Sequence, residues 1–441
     1  MRSRGLLIAV IFFVALAGVI YWSNKQKAKE ESAPPKDTAP TIVSAPQADI
    51  TRVELKKRDG SDVVLEKNGG DWRITAPQTW AADQDTVNGL LSSLSTVNGD
   101  NVVEQKAANV TQYGLNPPAE TVTIGLKNGK SKTLLVGDEA PTGGEVYAMA
   151  AGDPKVYTMA SYNRNSVDKS VNDLRDKRLL TFNQNSLARV ELSSKGQDIE
   201  FGKNNQGDWQ ILKPGPYRAD GLQVDELVRK LKDAKMDLTG SEDDRKKAAA
   251  AFASAAPVAA AKVTDASGTQ ELQVRKDKAG DYYAKSSALV GVWKSTSELG
   301  EGLNKTVDDF RNKKLFDFGF DDPNKIEMHD GAKSYFFTRG GDKWFSNGKE
   351  LDAVSIQSFI DKLRELTAAK FVDTGFTTPA LDINVTSKDG KRTEKVTFSK
   401  QGADYVAKRE NETSLYQVDG KTIQDLQTAA AAVKPAVAAK K

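Results

Sequence analysis

The sequence predicts an α+β protein: three tandem repeats of an antiparallel-sheet-plus-helix module behind one N-terminal transmembrane helix. Three observations predict it. Trp72, Trp209 and Trp344 recur 137 and 135 residues apart inside the same local pattern. Each is followed by the same helix-period set of apolar residues. An uncharged run, residues 5–22, stands near the N-terminus.

That run is the first element. At about 1.5 Å rise per residue it nearly matches a hydrocarbon core of about 30 Å. Tyr21 and Trp22 close it, where interfacial aromatics belong, and Arg2 and Arg4 precede it. Two readings stand. In one, residues 1–23 are an uncleaved signal anchor with the N-terminus inside. In the other, Ala15-Leu16-Ala17 is the small-residue site of a cleaved signal peptide. Lys25, Lys27 and Lys29 weaken the charge asymmetry, while the very short N-terminal tail still favours the orientation with the N-terminus inside. No Cys follows, which excludes a lipid-modified anchor. Residues 24–48 read as a Lys/Glu then Ala/Pro linker, extended and mobile, because this composition cannot bury a core. The anchor reading predicts a single-pass membrane protein with the bulk of the chain outside the cytoplasm; for a bacterium that is the inner membrane and periplasm.

The modules follow as residues 49–184, 185–321 and 322–434, with an Ala/Lys tail at 435–441. Each opens on an alternating strand: Arg52-Val53-Glu54-Leu55, Arg189-Val190-Glu191-Leu192, Lys325-Ile326-Glu327-Met328. A turn and a second strand lead to the Trp, which opens a third. Asp83, Asp220 and Asp352 then sit where an N-cap carboxylate accepts from free backbone N–H groups. The apolar sets behind them place four side chains on one helical face: Val87, Leu90, Leu91, Leu94; Val224, Leu227, Val228, Leu231; Ile356, Phe359, Ile360, Leu363. A second strand-rich half starts near Pro118, Pro257 and Pro379. Two late aromatics follow in each copy: Tyr147 and Tyr157, Tyr283 and Trp293, Tyr405 and Tyr416. Copies one and two close alike, on Asp173-Leu174-Arg175-Asp176-Lys177-Arg178 and Asp309-Phe310-Arg311-Asn312-Lys313-Lys314. Copy three fades into its tail.

Composition narrows function. A formal net charge of +3 on 441 residues gives no case for nucleic acid. Zero Cys removes disulfides, thiolate chemistry and Cys-based metal sites, and one His leaves little room for a triad or a His-based site. That residue, His329, reads as part of a hairpin turn. No Gly-rich phosphate loop carries the required Lys-Ser/Thr. Asp83-Gln84-Asp85 lacks calcium-loop spacing. The run 242–247 carries both signs and reads as a solvated helix surface. No catalytic, metal or cofactor residue is assigned, and the expectation is a non-enzyme. Candidate partner contacts remain. Arg175, Lys177, Arg178, Arg311, Lys313 and Lys314 suit an acidic partner or anionic lipid, or else complement a helix dipole. Trp80 has no Trp counterpart in the other copies and is the aromatic to watch for glycan contact.

The order of motifs resembles a bacterial family, domain of unknown function 4340. The likeness rests on Val63-Val64-Leu65-Glu66-Lys67, Gly70-Asp71-Trp72-Arg73-Ile74, Ala82-Asp83, Tyr113-Gly114-Leu115-Asn116-Pro117-Pro118 and residues 173–179. It is strongest over residues 50–182. The Tyr-Gly-Leu-x-x-Pro element is absent from copy two and reduced to Gly375-Phe376 and Pro379 in copy three. The resemblance implies a membrane-anchored envelope protein working with ABC-type transporter subunits, and it defines no catalytic residue. The expected function is thus a periplasmic scaffold or accessory subunit. A glycan- or peptidoglycan-binding module is the alternative.

Overall fold

The computed structural model describes residues 39–141, 143–240, 242–319 and 323–437. The predicted transmembrane run and most of the linker lie outside them. Among the described residues no helix is long and apolar enough to cross a membrane. The class is α+β: among the described residues there are three large antiparallel sheets, a two-stranded sheet and eight α-helices. The chain divides into two compact units, Met1–Lys177 and Arg178–Lys441.

In the first unit the nine strands run, edge to edge, Trp80–Ala81, Asp71–Ala76, Asp62–Asn68, Ile50–Lys57, Glu120–Leu126, Ser131–Glu139, Glu145–Ala150, Val156–Ala160 and Asn101–Glu104. Two four-stranded meanders therefore join through their first strands. Between them runs the helix Gln84–Ser95, capped by Asp83, which accepts from Thr86 N–H at 2.9 Å. Val87, Leu90, Leu91 and Leu94 are all buried against the sheet, each worth about 1.5–3 kcal/mol of apolar transfer. Gln84 fastens the helix to the tryptophan strand: its side chain accepts from Trp72 N–H at 2.9 Å and donates to Trp72 O at 3.0 Å. The linker ends earlier than its composition suggests. Thr41–Ser44 pairs with Thr96–Asn98, and Ile42, Val43 and Ala45 are buried. Two adjacent β-branched side chains outweigh the flanking prolines there.

The second unit holds two sheets of the same order. One runs Tyr217–Arg218, Trp209–Lys213, Gln197–Lys203, Arg189–Ser194, Ala256–Asp265, Gly268–Lys276, Tyr282–Ser286, Trp293–Ser295. The other runs Lys349–Glu350, Lys343–Ser346, Lys333–Gly340, Lys325–Asp330, Pro379–Ser387, Arg392–Gln401, Asp404–Arg409, Leu415–Val418, Lys370–Val372. Their helices, Gly221–Lys232 and Ala353–Glu365, are capped by Asp220 and Asp352 and bury the predicted apolar sets. In all three sheets a late helix packs on the capped one: Ser161–Val167, Ser297–Leu303 and Gly420–Ala431.

The opposite sheet face explains why one motif is not shared. In the first sheet, residues 107–115 cover it, with Leu115, Met149 and Val156 buried and the Tyr113 and Tyr147 rings 4.8 Å apart. In the second, the helix Glu242–Ser254 takes this place, with Arg275 lying 4.6 Å over Phe252. The Tyr-Gly-Leu-x-x-Pro element is missing from copy two because a helix does its work. The charged start of that helix is largely exposed, as its mixed signs suggest.

Three readings need correction. Strand register aligns Ala148 with Tyr157, Ala284 with Trp293 and Ala407 with Tyr416. The counterpart of Tyr147 and Tyr283 is therefore Val406, and Tyr405 is one residue out. His329 lies inside the strand Lys325–Asp330, with the turn at Gly331. Its Nδ1 sits 2.9 Å from Ser334 Oγ, and its ring meets Phe336 edge-on at 5.5 Å. Copy three also closes as the others do. Lys434 O accepts from Asp352 N–H, as Leu174 O accepts from Asp83 and Phe310 O from Asp220. Ala436 N–H donates to Glu350 O, so the start of the supposed tail belongs to the fold. Backbone hydrogen bonds carry this closure, and they leave no side-chain signature.

Candidate functional site

Within the second unit, the closing segment of copy two runs from one sheet to the next as an extended strap. Asp220 N–H donates to Phe310 O at 2.7 Å and Asn312 N–H to Arg218 O at 2.9 Å, on the second sheet's side. Ala368 N–H then donates to Lys313 O at 2.9 Å, and Leu315 N–H to Leu366 O at 3.0 Å, on the third. The strap's backbone thus bonds first to one sheet's side and then to the other's, which meets the need of buried peptide groups for partners.

Charged side chains fix this strap. The Arg311 guanidinium lies 4.2 Å from the Tyr217 ring and 3.5 Å from the Phe371 ring. It donates to Asp308 at 3.0 Å and to Ser414 Oγ at 2.7 Å. A flat, weakly hydrated cation suits this slot between aromatics; an ammonium does not. Arg218 pairs with Asp317, lies 2.8 Å from Glu412 and donates to the Tyr416 hydroxyl at 3.2 Å. Arg409 donates to Glu394 at 3.1 Å, to Glu412 at 2.7 Å and to Leu315 O. Burial works against the charge on Arg218, but Asp317, Tyr416 and Glu412 outweigh it and hold its pKa above that of a free guanidinium. Burial lifts the Tyr416 phenol above its ordinary value; Arg218 opposes this and Glu412 adds to it.

The strap entering the second sheet uses the same positions without charge. Thr181 N–H donates to Gln270 there, as Asp317 N–H donates to Glu394. Ser286 Oγ donates to Leu179 O, where Arg409 donates to Leu315 O. Copy position alone therefore could not reveal the ionic network. Arg218 carried a usable signal, since Ala81 stands at its place in copy one.

The seven predicted contact residues separate. Trp80 is half-buried, packs on the first core and carries the Arg175 guanidinium 4.9 Å over its ring. Arg311 is consumed inside the strap. Lys177 and Lys313 are half-buried, and Arg178 and Lys314 are exposed. Arg175 is the C-cap of a one-turn helix, and Lys177 and Arg178 lie beyond it. That helix spans only Val171–Leu174 in copy one, and a 3-10 turn, Val307–Asp309, stands there in copy two, so the helix dipole near either cluster is that of a single turn.

In the first unit, Glu120 stands apart. It is 2% exposed, and neither carboxylate oxygen has a hydrogen-bond partner among the described residues. Burial, then the neighbouring Asp168 charge, pushes its pKa up to about 7 against the pull of Lys57, Arg164 and Lys169. Lys57 itself pairs with Asp168. Among the described residues no group of three or more His, Cys, Asp or Glu side chains is placed to hold a metal ion.

Three like-ordered antiparallel sheets, each with a capped helix and a late helix, two of them joined by an ionic strap, define an α+β protein of repeated sheet-and-helix units. Residues 72–214 and 209–382 match the family model described as Domain of unknown function (DUF4340). The chain belongs to that family. The two matches begin at Trp72 and Trp209, the same tryptophan of successive copies. Among curated proteins none matches the chain.

Proposed function

We propose that this chain is a single-pass inner-membrane protein, anchored through residues 5–22. Its three tandem modules, at 49–184, 185–321 and 322–434, stand in the periplasm as a non-catalytic scaffold or accessory subunit of an ABC-type transport complex. The observation that carries the reading is the strap. Arg218, Arg311, Arg409, Asp317, Glu394 and Glu412 are spent on holding two sheets in one arrangement. That is what a protein presenting a fixed surface needs. The apolar run and the Lys/Pro-rich segment after it support the anchor, and the family resemblance supports the transporter partner. The glycan alternative is weaker: it relied on Trp80, whose ring is covered by Arg175 on one side and packed on the core.

The test is affinity isolation of the tagged full chain from membranes in mild detergent. Recovery of ABC-type transporter subunits in amounts comparable to the bait is the expected result. Their absence across several mild detergents counts against the reading.

A further inference from the structure

One core position of the first sheet differs in kind from its counterparts. Two residues beyond Leu55, Leu192 and Met328 stand Lys57, Ser194 and Asp330. Their cross-strand partners are Glu120, Ala259 and Leu381, all buried. Two copies thus fill the place with an apolar side chain, so the fold does not require a carboxyl there. Copy one holds one with no hydrogen-bond partner for either oxygen among the described residues. Such a group is costly to ionise. Lys57 lies opposite it on one side and Val136 on the other. Over it stand Arg164 of the late helix Ser161–Val167, then Asp168 and Lys169. Asp168 pairs with Lys57. The Lys169 ammonium donates to Asn165 O at 2.8 Å, and Arg164 Nε has no hydrogen-bond partner among the described residues. Asp59, the further charge near Lys57, is exposed and accepts from Ser61. Beyond Asp168 the short helix Val171–Leu174 leads to the module's closure. There Asp83 N–H donates to Leu174 O at 2.8 Å, and Asp176 N–H to Ala81 O at 2.9 Å.

We propose that Glu120, Lys57 and Asp168 form a proton-operated latch, which pins residues 161–176 to the first sheet and loosens them when Glu120 gives its proton to solvent. With Glu120 neutral, Lys57 serves Asp168 alone. Once ionised, Glu120 is a buried anion directly across from the same ammonium. It draws Lys57 from Asp168, and it regains water only when the segment carrying Arg164 to Lys169 lifts. Burial first, then the Asp168 charge, pushes the Glu120 carboxyl up to about 7, so the latch works in the neutral range. The closed state binds the proton more tightly than the open one. Its advantage is therefore full below pH 4.5 and lost as pH rises through 7. Local opening of one segment over a standing sheet is a common form of partial unfolding. The latch is independent of the transporter reading.

The experiment is hydrogen exchange by mass spectrometry on the full chain in detergent, corrected for intrinsic rates, at about pH 5 and about pH 8. Peptides within 161–176 lose protection by about tenfold or more at the higher pH; complete return of the carboxyl to its ordinary value sets a ceiling of roughly 300-fold. They stay less protected than Ile50–Lys57 throughout, and about 1 M urea leaves their exchange unchanged, because a local opening exposes little surface. Peptides of the corresponding late helix of copy two, Ser297–Leu303, show no such pH dependence. Glu120→Gln keeps the segment protected at both pH values, and Asp168→Asn leaves it loose at both. Circular dichroism of each variant matches the parent. Protection of 161–176 that does not change with pH in the parent overturns the proposal, as does an equal loss in Glu120→Gln. Full protection of Asp168→Asn at the lower pH overturns it as well. So does exchange of the segment only in step with Ile50–Lys57, which would make Glu120 a determinant of global stability alone.

Discussion

Replacing Glu120 with Gln is expected to stabilise the first sheet, by an amount that depends on pH. The carboxyl is almost fully buried beside Asp168, and its pKa is raised from 4.5 to about 7. The folded state therefore binds this proton more tightly than the unfolded chain does. Its contribution to stability is fully present below pH 4.5 and is lost as pH rises through 7. The full shift corresponds to about 3 kcal/mol at about pH 8, since each unit is worth about 1.4 kcal/mol. Gln cannot ionise, so the variant escapes this loss. It gains about 3 kcal/mol over the parent at about pH 8, and almost nothing at about pH 4. The assay is hydrogen exchange read by mass spectrometry on peptides covering Ile50–Lys57 and Glu120–Leu126, corrected for intrinsic rates. A difference that does not change with pH would refute the reasoning. So would a destabilised variant at high pH, which would mean that Lys57 and Arg164 hold Glu120 as a favourable anion.

Further outcomes follow from the same contacts. Arg218→Met should cost about 3–5 kcal/mol, because Asp317 and Glu412 lose their buried cation; exchange protection falls across both sheets of 178–441, and an unchanged profile would show that the pair is dispensable. Trp209→Ala should cost about 3–5 kcal/mol as a core truncation, read from the urea midpoint of the second sheet's peptides. Trp209→Phe should cost about 1 kcal/mol more than packing alone predicts, through the lost bond to Asp225. Protease added to spheroplasts should digest the modules, and alkaline carbonate should leave the intact chain in the membrane. A mature N-terminus at Gly18 would instead establish cleavage after Ala17.

Much of the fold was legible because helix periodicity and capping are local. Asp83, Asp220 and Asp352 are N-caps, and all twelve apolar positions behind them are buried. Trp72, Trp209 and Trp344 are core residues, as their place on the third strand of each copy implied. What escaped depends on partners distant in sequence. The closure of copy three at Lys434 and Ala436 uses only backbone groups. The strand Thr41–Ser44 gains its place from Thr96–Asn98. The cation clusters were visible, but their division was not. Arg311 turned inward because Tyr217 and Phe371 meet around it from different copies, while Lys313 is half-buried and Lys314 exposed. Nothing local to Arg409 marks its burial, and Asp317, Glu394 and Glu412 reach it and Arg218 from other strands and from the strap. Glu120 opens its strand with no local pattern that marks its burial.

The central claim is that these modules present a fixed surface to a transporter in the periplasm. The most direct measurement places a photo-crosslinking amino acid at Leu222, Val290 or Val354, apolar side chains that are 81%, 97% and 78% exposed. Irradiation of intact cells should give, from at least one position, a discrete adduct that mass spectrometry identifies as an ABC-type transporter subunit. Adducts with no transporter component from all three positions, in cells where the chain is present at its native level, would contradict the account.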